Sequence, residues 1–175
     1  MRPHLVLAAC LLAAAPAIAD ELPKRKPGLW DVSMAVEGQK IPFNKIQQCT
    51  DTETDALMLT NFSGAIGETC APPTIQNSGG TITIDSACTF GNSTTSTHAV
   101  ITGDFDSAYT VKVTSKQTGG APLPTLGPGG EVKMSLDAKW VGPCGPRQRA
   151  GDIVMPGGIT INVRQLAIRR QAPKP

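Results

Sequence analysis

The chain has 175 residues, with 16 Lys and Arg against 14 Asp and Glu, a formal net charge of +2 and 4% aromatic residues. So even a balance offers no electrostatic case for binding nucleic acid. The two histidines are His4 and His98; because His4 falls in a leader, a metal centre built on two or more histidines is excluded and no cofactor is expected.

The first element is MRPHLVLAACLLAAAPAIA, residues 1–19. A basic start, an apolar run from Leu5 to Ile18 and the small-x-small triplet Ala17-Ile18-Ala19 make it a secretory signal peptide cut after Ala19. The run is shorter than the ~20 apolar residues of a transmembrane helix, and no later stretch approaches that length. Leu7-Ala8-Ala9-Cys10 has the form of a lipoprotein cleavage box, but cleavage there would leave Leu11 to Ala15 as an apolar N-terminus, so lipidation is not expected. Residues 20–164 are enough for one domain with its own core.

Trp30, Val32, Met34 and Val36 alternate with Asp31, Ser33 and Glu37, the signature of a half-buried strand. Pro42 to Cys49 follows as a second strand. Thr50-Asp51-Thr52-Glu53 fits a capping box with Thr50 as the N-cap, opening a short helix continued by Asp55 to Thr60. Asp51, Glu53 and Asp55 also suit a calcium site by residue type, but acids in a first helical turn follow from the macrodipole alone.

Thr81 to Phe90 and Thr94 to Thr102 are the next strands. Tyr109, Val111 and Val113 then alternate with Thr110, Lys112 and Thr114, and Val132, Met134, Leu136, Ala138 and Trp140 alternate with Glu131, Lys133, Ser135, Asp137 and Lys139. Ile159 to Val163 closes the series. Gln117 to Gly130, rich in glycine and proline, reads as a loop that admits neither regular helix nor central strand. The tail from Gln165 to Pro175 reads as disordered and basic. Short strands separated by glycine turns predict an all-β fold with a minor α component: an antiparallel meander of about seven strands curled into a small barrel or half-barrel.

Without Cys10, four cysteines remain, Cys49, Cys70, Cys88 and Cys144, none in the close spacing of a zinc ribbon or a redox pair. An even count in an exported chain predicts two disulfides. A hairpin of Cys70–Gln76 and Thr81–Cys88 around a three-residue Ser78-Gly79-Gly80 loop places Cys70 opposite Cys88. That leaves Cys49 for Cys144, and the staple reading takes the cysteines out of any active site.

Little catalytic chemistry is visible. His98 lies in a strand with no G-x-S-x-G serine to pair with, and a lone strand histidine is ordinarily structural. Asp104 and Asp106 in GDFDSAY resemble the first ligands of a calcium loop, but Tyr109 stands where that loop needs glycine and Ser115 where it needs Glu, so the stretch reads as a hairpin turn. Paired carboxylates for glycoside hydrolysis would need stacking aromatics, which this chain scarcely has. No catalytic residue is assigned. Trp30, Tyr109, Val132 and Trp140 share the apolar side of their strands and form either a pocket wall or a core face.

Arg25-Lys26-Pro27-Gly28-Leu29-Trp30-Asp31-Val32, Gln48-Cys49-Thr50-Asp51, Cys70, Ile84 to Cys88, Thr97 to Tyr109, Lys139 to Cys144 and Gly151-Asp152 occur in that order. Together they closely resemble a family of small secreted bacterial proteins known as a domain of unknown function, DUF3617. The resemblance implies a periplasmic location and a single cysteine-bridged domain, and it carries no catalytic or binding residue. Gly28-Leu29-Trp30 is also similar to the Gly-x-Trp opening of lipocalin-type barrels, which adds a ligand-holding barrel by fold analogy. The expected function is a monomeric, non-enzymatic binder of a small apolar or amphipathic ligand or of an envelope protein. A structural envelope protein with a packed core is the alternative, and a hydrolase-like enzyme the third.

Overall fold

In the computed structural model, described over residues 22–40, 45–62, 69–121 and 128–166, the alternating segments pair edge to edge. The strands are β1 (Gly28–Val36), β2 (Lys45–Thr50), β3 (Thr69–Cys70), β4 (Thr74–Ser78), β5 (Thr81–Phe90), β6 (Ser93–Asp104), β7 (Ala108–Gly119), β8 (Glu131–Gly142), β9 (Asp152–Val154) and β10 (Thr160–Asn162), with α1 (Thr52–Phe62) after β2. All ten strands join one antiparallel sheet in the order β10-β9-β2-β1-β8-β7-β6-β5-β3, with β4 also on β5. The path does not close on itself, so the sheet is a curled half-barrel. The expected leader, the middle of the Gln117–Gly130 segment and residues 167–175 of the tail lie outside the described residues.

Beyond the seven strands read from the alternation, the expected hairpin arm from Cys70 to Gln76 forms two short strands, β3 and β4, and β9 is an unexpected strand. The arm from Cys70 to Gln76 is divided because Pro72 and Pro73 have no N–H to give the ladder. Cys70 faces Cys88, yet Thr74 faces Asp85, so the divided arm holds one more residue than β5 opposite it. The slip is carried into the turn. Ser78 pairs with Thr81, leaving a two-residue loop of Gly79 and Gly80 in place of the expected three-residue one. Their φ values of 59° and 81° are those of a type I′ turn, whose twist matches that of the strands it joins.

The loop assigned to Gln117–Gly130 also begins later than expected. β7 runs on to Gly119 because β6 supplies partners that far, Ser93 lying opposite Gly119. Near the C-terminus, the closing strand is shorter than the expected Ile159 to Val163: it ends at Asn162, and Val163 opens a helical turn over residues 163–166, which takes in Gln165 from the expected tail.

The helix cap also moves by one residue. Thr54 N–H donates to Asp51 Oδ1 at 2.7 Å while Asp51 N–H donates to Thr54 Oγ1 at 2.9 Å, so Asp51 and Thr54 form the reciprocal cap instead of Thr50 and Glu53. Thr50 is still in β2, facing Gly28, and cannot leave the ladder. Glu53 instead accepts a hydrogen bond from Arg164 Nη1 at 2.6 Å. The Thr54 amide has the largest effect on the pKa of Asp51 and lowers it below its ordinary 3.8; burial opposes this, and the Thr54 hydroxyl and Arg164 lower it further.

A carboxylate whose folded pKa is depressed stabilises the fold above its ordinary pKa and loses that contribution as pH falls through the folded value. The wild type is therefore expected to lose more stability than Asp51→Asn between about pH 5 and about pH 2. Asn keeps the N-cap but carries no charge to titrate. Urea midpoints measured across that range check this, and equal losses would refute it.

The apolar side of the sheet carries two linked cores. Trp30, Val32 and Ala138 are buried and packed by Ile46, Tyr109, Leu136 and Trp140. Met58, Ile153 and Val163 form the second, packed by Ile46, Leu57 and Ile161. Ile46 belongs to both, so α1 is seated on the same face that carries the tryptophans. Cys49 bonds Cys144, and Cys70 bonds Cys88. The first bridge ties β2 to the chain just beyond β8, and β1 lies between those two strands.

The segment before β1 straps one end of this core. Trp30 Nε1–H donates to Lys26 O at 2.9 Å and Trp140 Nε1–H to Pro27 O at 3.1 Å. Lys26 N–H donates to Phe105 O, and its ammonium lies 3.9 Å from the Trp140 ring centroid. Arg25 is buried beneath these contacts. Its Nε donates to Asp55 Oδ1 at 2.6 Å, its backbone N–H to Asp55 Oδ2 at 3.1 Å, and its Nη1 to Gln48 Oε1 at 2.8 Å and to Tyr109 Oη at 3.3 Å. One guanidinium thus joins the strap to α1, β2 and β7.

Gly28 is required where the strap enters the sheet. At φ 135° a Cβ here would lie 2.5 Å from Gly142 O and 2.6 Å from Trp140 Nε1. Gly38 has φ 74° and nothing within 4 Å of a Cβ. Gly28→Ala is therefore expected to lower the unfolding midpoint well beyond Gly38→Ala, by on the order of 2 kcal/mol for the steric conflict. Equal losses would leave only backbone conformation as the cause.

Candidate functional site

The polar sides of the strands also meet in register. Asp31 stands between Gln47 and Lys139, and Ser33 between Lys45 and Asp137. Asp137 in turn neighbours Thr110, which neighbours Thr102. Side chains alternate across a sheet, so these residues share the face opposite Trp30. On β9, Val154 lies opposite Gln47 and on the same face. Met155 and Pro156 continue from it into a turn held by Met155 N–H to Ile159 O at 2.8 Å and Gly158 N–H to Met155 O at 3.0 Å.

These groups line a cleft of about 800 Å³ whose floor crosses β2, β1, β8, β7 and β6. Small residues are part of its lining, among them Ser33, Gly103 and Ala108. Its polar groups are unequally occupied. Asp31 Oδ1 accepts from Gln47 Nε2 at 2.9 Å and Asp137 Oδ1 from Thr110 Oγ1 at 2.7 Å. Lys45 and Lys139 close no salt bridge with either acid among the described residues.

Tyr109 belongs to both faces. Its residue borders the cleft, while its ring stacks on Phe105 at 4.8 Å, tilts against Trp30 at 5.6 Å and reaches Arg25 through its hydroxyl. Burial raises its pKa above the ordinary 10.0, and the positive charge of Arg25 partly offsets that. It is the chain's single tyrosine, so ultraviolet titration reads it alone. A midpoint above 10.0 is expected, rising further in Arg25→Met as the cation is removed. A fall in a variant that circular dichroism shows to be still folded at that pH would contradict the sign of this coupling.

Of the residues singled out for a pocket or core face, Trp30 is fully buried and Trp140 and Tyr109 pack on its cluster. Val132 is half-buried farther along β8, opposite Ser115. Only Tyr109 of the four also borders the cleft. The cleft's polar residues appeared in the sequence only as the wet partners of apolar ones, and nothing in the alternation signals a cavity beneath them.

A second cleft of about 550 Å³ lies on the same face over β5 to β8. His98 lies in it with Nδ1 2.7 Å from Asp85 Oδ1, both side chains about half exposed. Among the described residues no serine hydroxyl is hydrogen-bonded to the ring, which lacks the nucleophile contact of a hydrolytic triad. Asp104 makes the expected hairpin turn, accepting from Asp106 N–H and Ser107 Oγ, both at 2.9 Å. The Asp106 amide and then the Ser107 hydroxyl lower its pKa, as local turn bonds do. No cluster of metal-ligating side chains occurs among the described residues.

Fold and site together define an open, antiparallel, disulfide-bridged sheet with a helix seated on its apolar face and a polar cleft on the other. A family model described as "Protein of unknown function (DUF3617)" matches residues 25–144, and the chain belongs to that family. The matched range begins at the buried Arg25 and ends at the bridged Cys144. No curated protein and no solved structure matches the chain. Among the described residues no helix is long and apolar enough to cross a membrane.

Proposed function

We propose that this protein is exported to the periplasm by residues 1–19 and serves there as a non-enzymatic module that binds a small amphipathic ligand. The observation that carries the reading is the cleft of about 800 Å³, within the size range of small-molecule sites. Its lining supports an amphipathic occupant. Lys45, Lys139, Ser33 and Thr102 present polar groups, and Val154, Met155 and Pro156 present an apolar wall. The filled core around Trp30 directs this reading to the face opposite the tryptophans.

Native mass spectrometry of protein purified from the periplasm tests the proposal. A reproducible co-purifying mass of lipid or metabolite size is the expected result. Bare protein from every growth condition, with no ligand bound on adding back a cell-envelope extract, would overturn it. The non-enzymatic part is tested by His98→Ala, expected to leave ligand binding and cellular function unchanged; loss of function with intact folding would argue for chemistry at His98.

A further inference from the structure

We infer that the cleft holds a singly charged anionic amphiphile, its head between Lys45 and Lys139 and its chain against Val154, Met155 and Pro156. The inference rests on the binding reading above and names the ligand class. It follows from an asymmetry among the four charges of the cleft.

The two acids already have donors. Gln47 serves Asp31 and Thr110 serves Asp137, each from a neighbouring strand, so one oxygen of each carboxylate is already engaged. The two lysines differ. Among the described residues neither takes part in an ion pair or hydrogen bond, although Lys139 stands directly across from Asp31. The charged donor capacity left in the cleft is therefore six N–H bonds on two ammoniums, beside the neutral hydroxyls of Ser33 and Thr102.

The register also sets their separation. Lys45 lies one strand to one side of Ser33, and Lys139 one strand to the other side of Asp31. Two strand spacings and a two-residue offset put their backbones about 12 Å apart, a span that two long lysine side chains can close around one small head group.

Charge count limits the occupant further. Two lysines against two aspartates leave the cleft nearly neutral, so a polyanion would meet as much repulsion as attraction, whereas a single negative charge can sit between the ammoniums. A cationic head would meet carboxylates whose inner oxygens are already engaged. The third constraint is the apolar wall, which a free inorganic anion would leave exposed to water. A carboxylate or a phosphodiester head on a single chain meets all three conditions.

Calorimetry on the full mature protein at low ionic strength, with each probe below its micelle concentration, tests this. Dodecanoate and a single-chain lysophosphatidylglycerol stand for the two head chemistries; dodecyl maltoside, dodecyltrimethylammonium and acetate are the comparisons. At least one anionic amphiphile is expected to bind one to one and at least about tenfold more tightly than the neutral and cationic chains, the contribution of a charge-assisted hydrogen bond. Which of the two binds more tightly tells a fatty acid from a phospholipid fragment. Lys45→Gln with Lys139→Gln is expected to erase the preference of anionic over neutral and cationic chains while leaving the unfolding midpoint unchanged.

Equal affinity for all three head charges would overturn the anionic inference and leave the binding reading standing. Acetate binding as tightly as dodecanoate would overturn the role of the apolar wall. Failure of every amphiphile would overturn both.

Discussion

Arg25→Ala is expected to cost about 3–5 kcal/mol of folding stability, the loss found when one member of a buried ion pair is removed. The side chains of Arg25 and Asp55 are only 8% and 4% exposed, and Nε to Oδ1 is 2.6 Å. Removing the guanidinium leaves the Asp55 carboxylate buried with the Arg25 backbone N–H at 3.1 Å as its remaining contact from the strap. It also takes a donor from Gln48 and another from Tyr109. Against a total stability of about 5–15 kcal/mol, that loss decides whether the domain folds.

The variant is expected to lower the urea midpoint with little change in slope. The companion test is Arg25→Met with Asp55→Leu. If the penalty comes from an uncompensated charge, the double variant recovers most of the loss, because a well-packed apolar pair of similar volume is often as stable as a buried ion pair. A double variant as unstable as Arg25→Ala would show that the strap needs the guanidinium hydrogen bonds themselves.

Loss of the Cys49–Cys144 bridge is the second large effect. Its cysteines are 95 positions apart, whereas Cys70 and Cys88 are 18 apart. In the chain-entropy model a loop near 100 residues contributes about 4.7 kcal/mol and one near 15 about 3. Cys49 is also buried, and its carbonyl accepts Gly151 N–H at 2.8 Å, so the bridge anchors the segment that carries β9 to its place beside β2. Cys49→Ala with Cys144→Ala is therefore expected to cost about 4–5 kcal/mol, and Cys70→Ala with Cys88→Ala about 3. Urea unfolding of the two double variants gives the order directly. A larger loss from the shorter bridge would mean that the kinked β3–β4 arm depends on its staple more than loop length implies.

The strap and α1 meet at one end of the apolar face, and the cleft lies on the opposite face of the same central strands. Val32, Ile46, Ala138 and Tyr109 belong to the core cluster and also border the cleft. Ligand affinity and core stability are therefore expected to share these four positions, whereas Lys45 and Lys139 belong to the cleft alone.

Much of the sheet is legible without coordinates because a strand with one wet and one dry face writes its period into the chain. Residues 131–140 show it most plainly: five apolar side chains interleave with five polar ones, and all ten lie in β8. Cys70 against Cys88 is expected by counting from a three-residue turn; from the two-residue turn that forms, counting alone would set Cys70 against Thr89, and the extra residue in the arm restores the pairing. The details that shifted by one residue shifted for local reasons. Two prolines absorbed a residue in the arm, and Thr50 remained in β2, which passed the cap to Asp51.

The periodicity of these 175 residues was sufficient for an antiparallel sheet with two staples, because alternation and turn chemistry act between residues close along the chain or on adjoining strands. Long-range contacts decided the rest. Arg25 reads as one of three adjacent basic residues near the start of the domain until α1, β2 and β7 bring Asp55, Gln48 and Tyr109 around it. Lys45, Asp31, Lys139 and Asp137 read as an ordinary solvated face until the curl of the sheet and the β9–β10 turn raise a wall beside them. A cavity is a property of how surfaces curve and meet, and no period along a single strand encodes that.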